Sequence, residues 1–278
     1  MNTLYLDLNG GRIAYDDQGE GHLIVCMPAG GDTRAEYRFL TPKLVEAGYR
    51  VVTMDMRGQG ESSKRWSDYS PAALGSDLLE LIRHLDAGSA CIIGTSVAIA
   101  AAIWAAVEAP ELVDGIALVS AYARASSRLM ASLMANVFLA PMWGLPAYLA
   151  YFPKMYPSAR PADFNLHLQN VKAMLKEAGS MHALRMIFAN SYRDWDERIE
   201  QVRVPVLIVM GSKDPDFKQP QQEAQQLAER LEATQVSISI IEGAGHHPQA
   251  EMPEQTAQSV LAFLAAKQPQ DTILEGAL

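Results

Sequence analysis

Short apolar runs separated by amphipathic stretches set the rhythm of this chain. Thr3–Leu8 and Arg12–Tyr15 alternate apolar and polar positions around Asn9-Gly10-Gly11, which predicts a hairpin of two antiparallel strands at a sheet edge. Further strand runs fall at His22–Met27, Arg50–Met56, Ala90–Ile93, Asp114–Ser120, Val204–Met210 and Val236–Ile241. Most of these are continuously apolar, as strands covered on both faces must be. Helical stretches lie between them: Arg34 to Ala47, stopped by Gly48; Pro71–Leu85, with Leu74, Leu78, Leu79, Leu81, Ile82 and Leu85 at helical spacing; the Ala-rich run after Ser96; Gln219 to Leu231; and Pro253–Ala266. Strands alternating with helices of this length predict an α/β fold, a mostly parallel sheet with helices on both faces.

One long segment breaks the rhythm. From 122 to 199 there is no strand run, only helical stretches broken by Pro141, Pro146, Pro153, Pro157 and Pro161. The expected organisation is therefore a core of residues 1–121 and 200–278 with a helical cap, 122–199, inserted after one strand, where it can act as a lid. The insertion carries nine basic and five acidic residues, whereas the whole chain has a formal charge of −9. Fastening of a basic insertion to an acidic core is the expected use of this asymmetry. Seven of the thirteen methionines also lie there (Met130, Met134, Met142, Met155, Met174, Met181 and Met186), interleaved with aromatics. Most should pack the insertion's own core and a few should line an adaptable apolar pocket.

At 278 residues with 49% hydrophobic content, the chain can bury a large core. Its acidity excludes a nucleic-acid partner, which would require a basic surface. No run of about 18 apolar residues indicates a membrane span, and no basic and apolar leader opens the chain, so a cytoplasmic protein, monomer or homodimer, is expected. Cys26 and Cys91 each sit inside an apolar strand run and read as buried free thiols, with no disulfide or metal-ligand spacing.

The chemistry gathers at strand ends. Gly94-Thr95-Ser96-Val97-Ala98 joins a buried strand to the Ala-rich helix, which places Ser96 at the tip of a sharp turn and at a helix N-terminus, where negative charge is favoured. The turn brings the positions two before and two after the serine together, so both must be small, as Gly94 and Ala98 are. A serine hydroxyl needs a base, and the base needs an orienting acid. Gly211-Ser212-Lys213-Asp214-Pro215-Asp216 offers a carboxylate after one strand, and Glu242-Gly243-Ala244-Gly245-His246-His247-Pro248 an imidazole after the next. Loops at the carboxyl ends of parallel strands converge, so the sequence distance is no obstacle.

In this order, Ser96…Asp214…His246, the chain resembles the α/β-hydrolase superfamily over nearly its whole length. Asp55-Met56-Arg57-Gly58-Gln59-Gly60-Glu61-Ser62 is similar to the family's D-x-R-G-x-G-x-S turn, whose residues are read here as structural. The resemblance selects His246 over His247 and Asp214 over Asp216. The chain departs from the family at the oxyanion loop, where Pro28-Ala29-Gly30-Gly31 replaces the usual His-Gly. By position, the backbone N–H groups of Gly30 and Val97 would be the oxyanion donors. The resemblance implies a serine hydrolase acting on a small-molecule ester or lactone with an apolar part, through an acyl-enzyme and without metal or organic cofactor. The serine argues against the superfamily's haloalkane dehalogenases and epoxide hydrolases, which use aspartate at that place. Carbon–carbon hydrolases, cofactor-free peroxidases and a slow hydrolase-fold ligand sensor remain compatible with the same residues.

Overall fold

The apolar runs meet in one sheet. In the computed structural model, which describes residues 3–123, 128–191, 195–231 and 235–267, its strands are β1 (Leu4–Leu8), β2 (Gly11–Gln18), β3 (His22–Met27), β4 (Tyr49–Met54), β5 (Ala90–Thr95), β6 (Val113–Val119), β7 (Val206–Gly211) and β8 (Val236–Ile241). Their order across the sheet is β1-β2-β4-β3-β5-β6-β7-β8. The hairpin of β1 and β2 forms one edge, β2 meets β4 antiparallel, and the remaining pairs are parallel.

In chain order the helices are α1 (Thr41–Glu46), α2 (Pro71–Leu85) and α3 (Ala98–Glu108), then α4 (Arg128–Phe138), α5 (Gly144–Tyr151), α6 (Phe164–Lys176), α7 (Ser180–Asn190) and α8 (Trp195–Ile199) between β6 and β7. The series ends with α9 (Pro220–Glu229), α10 (Pro248–Glu251) and α11 (Pro253–Lys267). The period of two along each strand explains why both faces are covered. On β3, Leu23, Val25 and Met27 pack with α2, α3 and α9, whereas Ile24 and Cys26 pack with α1 and α11. β5 and β7 divide in the same way, so Ala90–Ile93 and Val206–Met210 carry apolar side chains at every position.

Two boundaries differ from the sequence reading for reasons visible in the chain. The helix expected over Arg34–Ala47 is split into a 3₁₀ turn, Arg34–Tyr37, and α1, because Pro42 restarts the helix in its first turn. The split turns Glu36 and Tyr37 into the interior, both fully buried. The strand expected from Val204 begins at Val206, since Pro205 has no N–H to give the ladder. Cys26 and Cys91 are buried free thiols, and burial pushes Cys91 up to about 12, which makes it an unreactive packing group.

The turn after β4 is a structural knot. Ser62 Oγ donates to the Asp55 carbonyl and accepts the Ala14 N–H, and Arg34 pairs with Asp55. Arg57 makes a two-pronged contact with Asp77 of α2 at 2.8 and 2.6 Å, its guanidinium 4.4 Å over the Trp66 ring. Asp77 is 1% exposed, so removing its carboxylate strands a buried guanidinium. Asp77→Ala is expected to cost about 3 kcal/mol of unfolding free energy in urea titrations. A loss below about 1 kcal/mol would mean that water reaches Arg57 and the pair is not a buried one.

The helices between β6 and β7 carry their own apolar cluster, in which Phe152, Tyr156, Phe164, Val171, Met174 and Leu184 are buried. Charged pairs tie this segment to the rest of the chain in both senses. Arg198 of the insertion meets Glu108, but Arg38 and Lys64 of the core meet Asp163 and Glu177 of the insertion. Fastening is thus local and pairwise instead of a general attraction between a basic and an acidic body. Arg124, Arg193 and Asp194, three of the insertion's charges, lie outside the described residues.

Candidate active site

Ser96 occupies the turn between β5 and α3 with φ +56°, a left-handed conformation that a non-glycine residue adopts only where its surroundings impose it. The turn is held by the Ser96 N–H on the Val119 carbonyl at 2.9 Å and by the Ile99 N–H on the Ser96 carbonyl at 3.0 Å. A side chain at Gly94 would stand 3.0 Å from the Ala98 carbonyl oxygen, which is why the position two before the serine tolerates nothing larger. The Ser96 side chain is partly exposed, into a cavity of about 430 Å³.

Asp214 and His246 stand at the ends of β7 and β8. His246 Nδ1 lies 3.0 and 2.9 Å from the two Asp214 oxygens, and both residues are buried. Asp216 Oδ2 is 3.5 Å from the same nitrogen, too long for a hydrogen bond but close enough to act through charge. Burial alone would lower the His246 pKa; the Asp214 carboxylate, with Asp216 behind it, outweighs burial and lifts it to about 9. For Asp214 burial works upward, yet the facing imidazole and the Asp216 N–H hold it below the usual carboxylate range. The N–H of His246 donates to the Met155 carbonyl at 2.9 Å, and a side chain at Gly245 would meet Pro157 at 2.2 Å. The histidine loop is thus seated directly against the insertion.

Gly30 and Val97 lie side by side at the cavity. A methyl built on Gly30 would stand 3.0 Å from Val97 Cγ2 and 2.7 Å from the Phe188 ring. Among the described residues no acceptor takes either N–H. Tyr148 of α5 donates its hydroxyl to the Gly30 carbonyl at 2.8 Å, so the insertion also grips this loop. Gly31, at φ +87°, does not line the cavity.

The structure therefore brings Ser96, His246, Gly30 and Val97 to one cavity wall, with Asp214 behind the imidazole. The opposite wall belongs to the insertion: Ala131, Met134, Phe138, Tyr148, Tyr151 and Met155. Of the insertion's seven methionines only Met134 and Met155 reach the cavity; Met174 is buried in the insertion's own cluster. Among the described lining residues there is no lysine or arginine, and the one carboxylate that faces the space is Asp216, which accepts a hydrogen bond from Tyr151.

Among the described residues two groups could in geometry hold a cation: Asp214, Asp216 and His246, and the buried set Asp32, Glu36 and His247. Both are engaged otherwise. The first is the imidazole with its carboxylates. In the second, Asp32 is bonded to His167 at 2.9 Å, and Glu36 takes the Ala29 N–H and the Gln249 amide. Glu36 and its partner Gln249 were missed in the sequence reading, which followed strand ends, whereas Glu36 sits in a turn and Gln249 in a short helix. Glu251 was missed for the same reason; its carboxylate accepts the N–H groups of Gly245, Ser158 and Ala159 and so ties the histidine loop to the insertion.

Comparison with known proteins defines the class. The chain belongs to the alpha/beta hydrolase family, whose profile matches residues 24–259. It is 26% identical over 263 residues to an uncharacterized protein of Mycobacterium tuberculosis, covering 87% of this chain and 74% of the other. A putative carbamate hydrolase of Caulobacter sp. is 28% identical over 257 residues, covering 88% and 90%. Among solved structures, a thermophilic esterase from Thermogutta terrifontis superposes with a TM-score of 0.77 at 20% identity, covering 97% of this chain and all of that one, a likeness of fold. No described helix is long and apolar enough to cross a membrane.

Proposed function

We propose that this hydrolase cleaves an uncharged carboxylic ester or lactone with an apolar moiety through an acyl-enzyme on Ser96. Ser96 Oγ attacks the carbonyl while His246 takes its proton; Asp214 fixes the imidazole and stabilises its charged form. The N–H groups of Gly30 and Val97 receive the oxyanion, a role that depends on backbone and not on side-chain identity. His246 then passes the proton to the departing alkoxide, and water, deprotonated by the same imidazole, releases the acid. Residues 122–199 serve as the cap that closes the apolar wall over the bound acyl or alcohol part.

The observation that carries this reading is the seating of a left-handed Ser96 on the same cavity wall as His246, with Asp214 at 2.9 Å behind it. The cavity's content argues for the substrate class: its size suits a small organic molecule, and the described lining is apolar but for a few polar groups. Outer residues of α4 add to this, since Met134 and Phe138 line the cavity and are also exposed, which continues the apolar lining to the surface.

The test is a panel of p-nitrophenyl esters with wild type and Ser96→Ala. Turnover should depend on Ser96 and favour an intermediate acyl length. A hemisuccinate ester, which brings a second carboxylate near Asp216 with no cation to meet it, should have kcat/KM lower than the similarly shaped 4-methylpentanoate by about 10²-fold. Equal rates for the two would sink the uncharged-substrate reading. Wild-type turnover at background would instead move the protein to a ligand sensor on the same fold.

A further inference from the structure

Beneath the cavity, Glu36 is fully buried and has no lysine or arginine partner among the described residues. The nearest cationic candidate is His247 Nδ1, 3.7 Å from Glu36 Oε2 and outside hydrogen-bond reach. An uncompensated buried carboxylate is costly, so the bonds it makes are the reason to look at it. Its Oε2 accepts the Ala29 N–H at 2.8 Å, and its Oε1 accepts a hydrogen bond from the Gln249 side-chain amide. The same Gln249 nitrogen also donates to Thr95 Oγ1 at 3.2 Å, and Thr95 Oγ1 is bonded in turn to the buried Tyr37 hydroxyl at 2.8 Å. Tyr37 continues to the Met27 carbonyl at the end of β3.

The residues so joined are the neighbours of the reacting groups. Ala29 precedes Gly30, Thr95 precedes Ser96, and Gln249 opens off the loop that carries His246. These three segments follow β3, β5 and β8 and are far apart in sequence. The peptide between Ala29 and Gly30, whose N–H would meet the oxyanion, is fixed from both sides: Ala29 N–H is held by Glu36, and the Ala29 carbonyl by the Asp32 N–H at 3.1 Å. Neither Glu36 nor Gln249 lines the cavity.

We propose that Glu36 and Gln249 are positioning residues, a buried cross-link that sets the oxyanion loop, the serine turn and the histidine loop at fixed separations. This rests on the hydrolase reading above, in which those three loops must act on one carbonyl. Preorganised donors work only where they are held to the position of developing charge, and a misplacement of about 1 Å can cost on the order of 10²-fold in rate.

The test compares Glu36→Ala, Glu36→Gln and Gln249→Met with wild type and Ser96→Ala, each checked for a folded thermal transition by circular dichroism. Glu36→Ala should lower kcat about 10²-fold with KM within threefold, because the cavity wall that binds substrate is untouched while the donors drift. Glu36→Gln should restore kcat to within about fivefold of wild type, since its oxygen can still accept from Ala29 and, with the Gln249 amide turned over, its NH2 can donate to Gln249 Oε1, which has no partner among the described residues. Gln249→Met keeps volume but loses both donations and should lower kcat about tenfold, again with KM unchanged. It also decides the matter if Glu36→Ala does not fold.

Folded Glu36→Ala or Gln249→Met with kcat within twofold of wild type overturns the proposal. So does Glu36→Gln as slow as Glu36→Ala, which would assign the effect to charge and not to placement. Failure of the hydrolase reading is seen separately, in a wild type whose turnover does not depend on Ser96; that result removes the reaction the cross-link serves and overturns both.

Discussion

Ser96→Ala is expected to lower turnover of p-nitrophenyl butyrate by about 10⁴- to 10⁶-fold, with the protein still folded. The magnitude follows from what remains when the hydroxyl is gone. Binding in the cavity and two backbone donors continue to stabilise charge on the carbonyl, but no acyl-enzyme can form and the imidazole has only water to activate. Stability should change by less than about 1 kcal/mol, because the turn is held by backbone bonds of Ser96 and Ile99 and by the small Gly94, none of which uses the hydroxyl. A steady-state assay on the purified variant, with thermal unfolding alongside, checks both halves. A variant as active as wild type would place the nucleophile elsewhere and sink the serine mechanism. A large loss accompanied by unfolding would leave the mechanism unsupported, and in that case Ser96→Cys, which keeps a nucleophile in the turn, must retain a fraction of the activity.

Much of this arrangement was legible in the order of residues, and the reason is local. Strands covered on both faces advertise themselves as apolar runs, so β3, β5 and β6 could be read almost to their ends. Ser96 was legible because its turn imposes a local demand, small residues at 94 and 98, that leaves a mark in sequence. Asp214 and His246 could be found because parallel strands deliver their following loops to one edge. Glu36 and Gln249 carry no such mark. Their partners, Ala29 and Thr95, are chosen by how loops from different strands stack beneath the cavity, and nothing near either residue in sequence announces it. The insertion was opaque in the same way: its proline-broken helices were evident, but the bonds from His246 to Met155 and from Tyr148 to Gly30 depend on how the segment folds back. Net charge misled for a related reason, since it counts the residues of a segment while ion pairs such as Arg38–Asp163 are made one at a time.

Asp214→Asn is expected to cut kcat about 10³- to 10⁴-fold and to move the pH dependence as well. An asparagine can offer its amide hydrogen to Nδ1 and so favour the wrong tautomer, leaving Nε2 protonated and unable to accept the serine proton. In the wild type the base must be neutral, and Asp214 with Asp216 lifts its pKa to about 9, so kcat/KM should rise with pH through about 9. Without the Asp214 charge the limb should fall toward the ordinary histidine value of about 6.5, the more so because burial then acts with less opposition. Stability moves the other way. A folded-state pKa raised above the unfolded value contributes stability that is complete below about pH 6.5 and is lost as pH climbs through about 9. The depressed Asp214 contributes above its ordinary value near 3.8 and loses that contribution on acidification through its lower folded-state pKa. The wild type should therefore lose thermal stability between pH 6.5 and 9 while it gains activity, and Asp214→Asn should flatten that decline. A wild-type limb below pH 7, or a limb unmoved in Asp214→Asn, would show that Asp214 does not govern the imidazole. Asp216→Asn then separates the two carboxylates: at 3.5 Å, outside hydrogen-bond reach, it should shift the limb modestly and leave kcat within about tenfold, because charge alone can move a pKa but only a hydrogen bond can choose a tautomer.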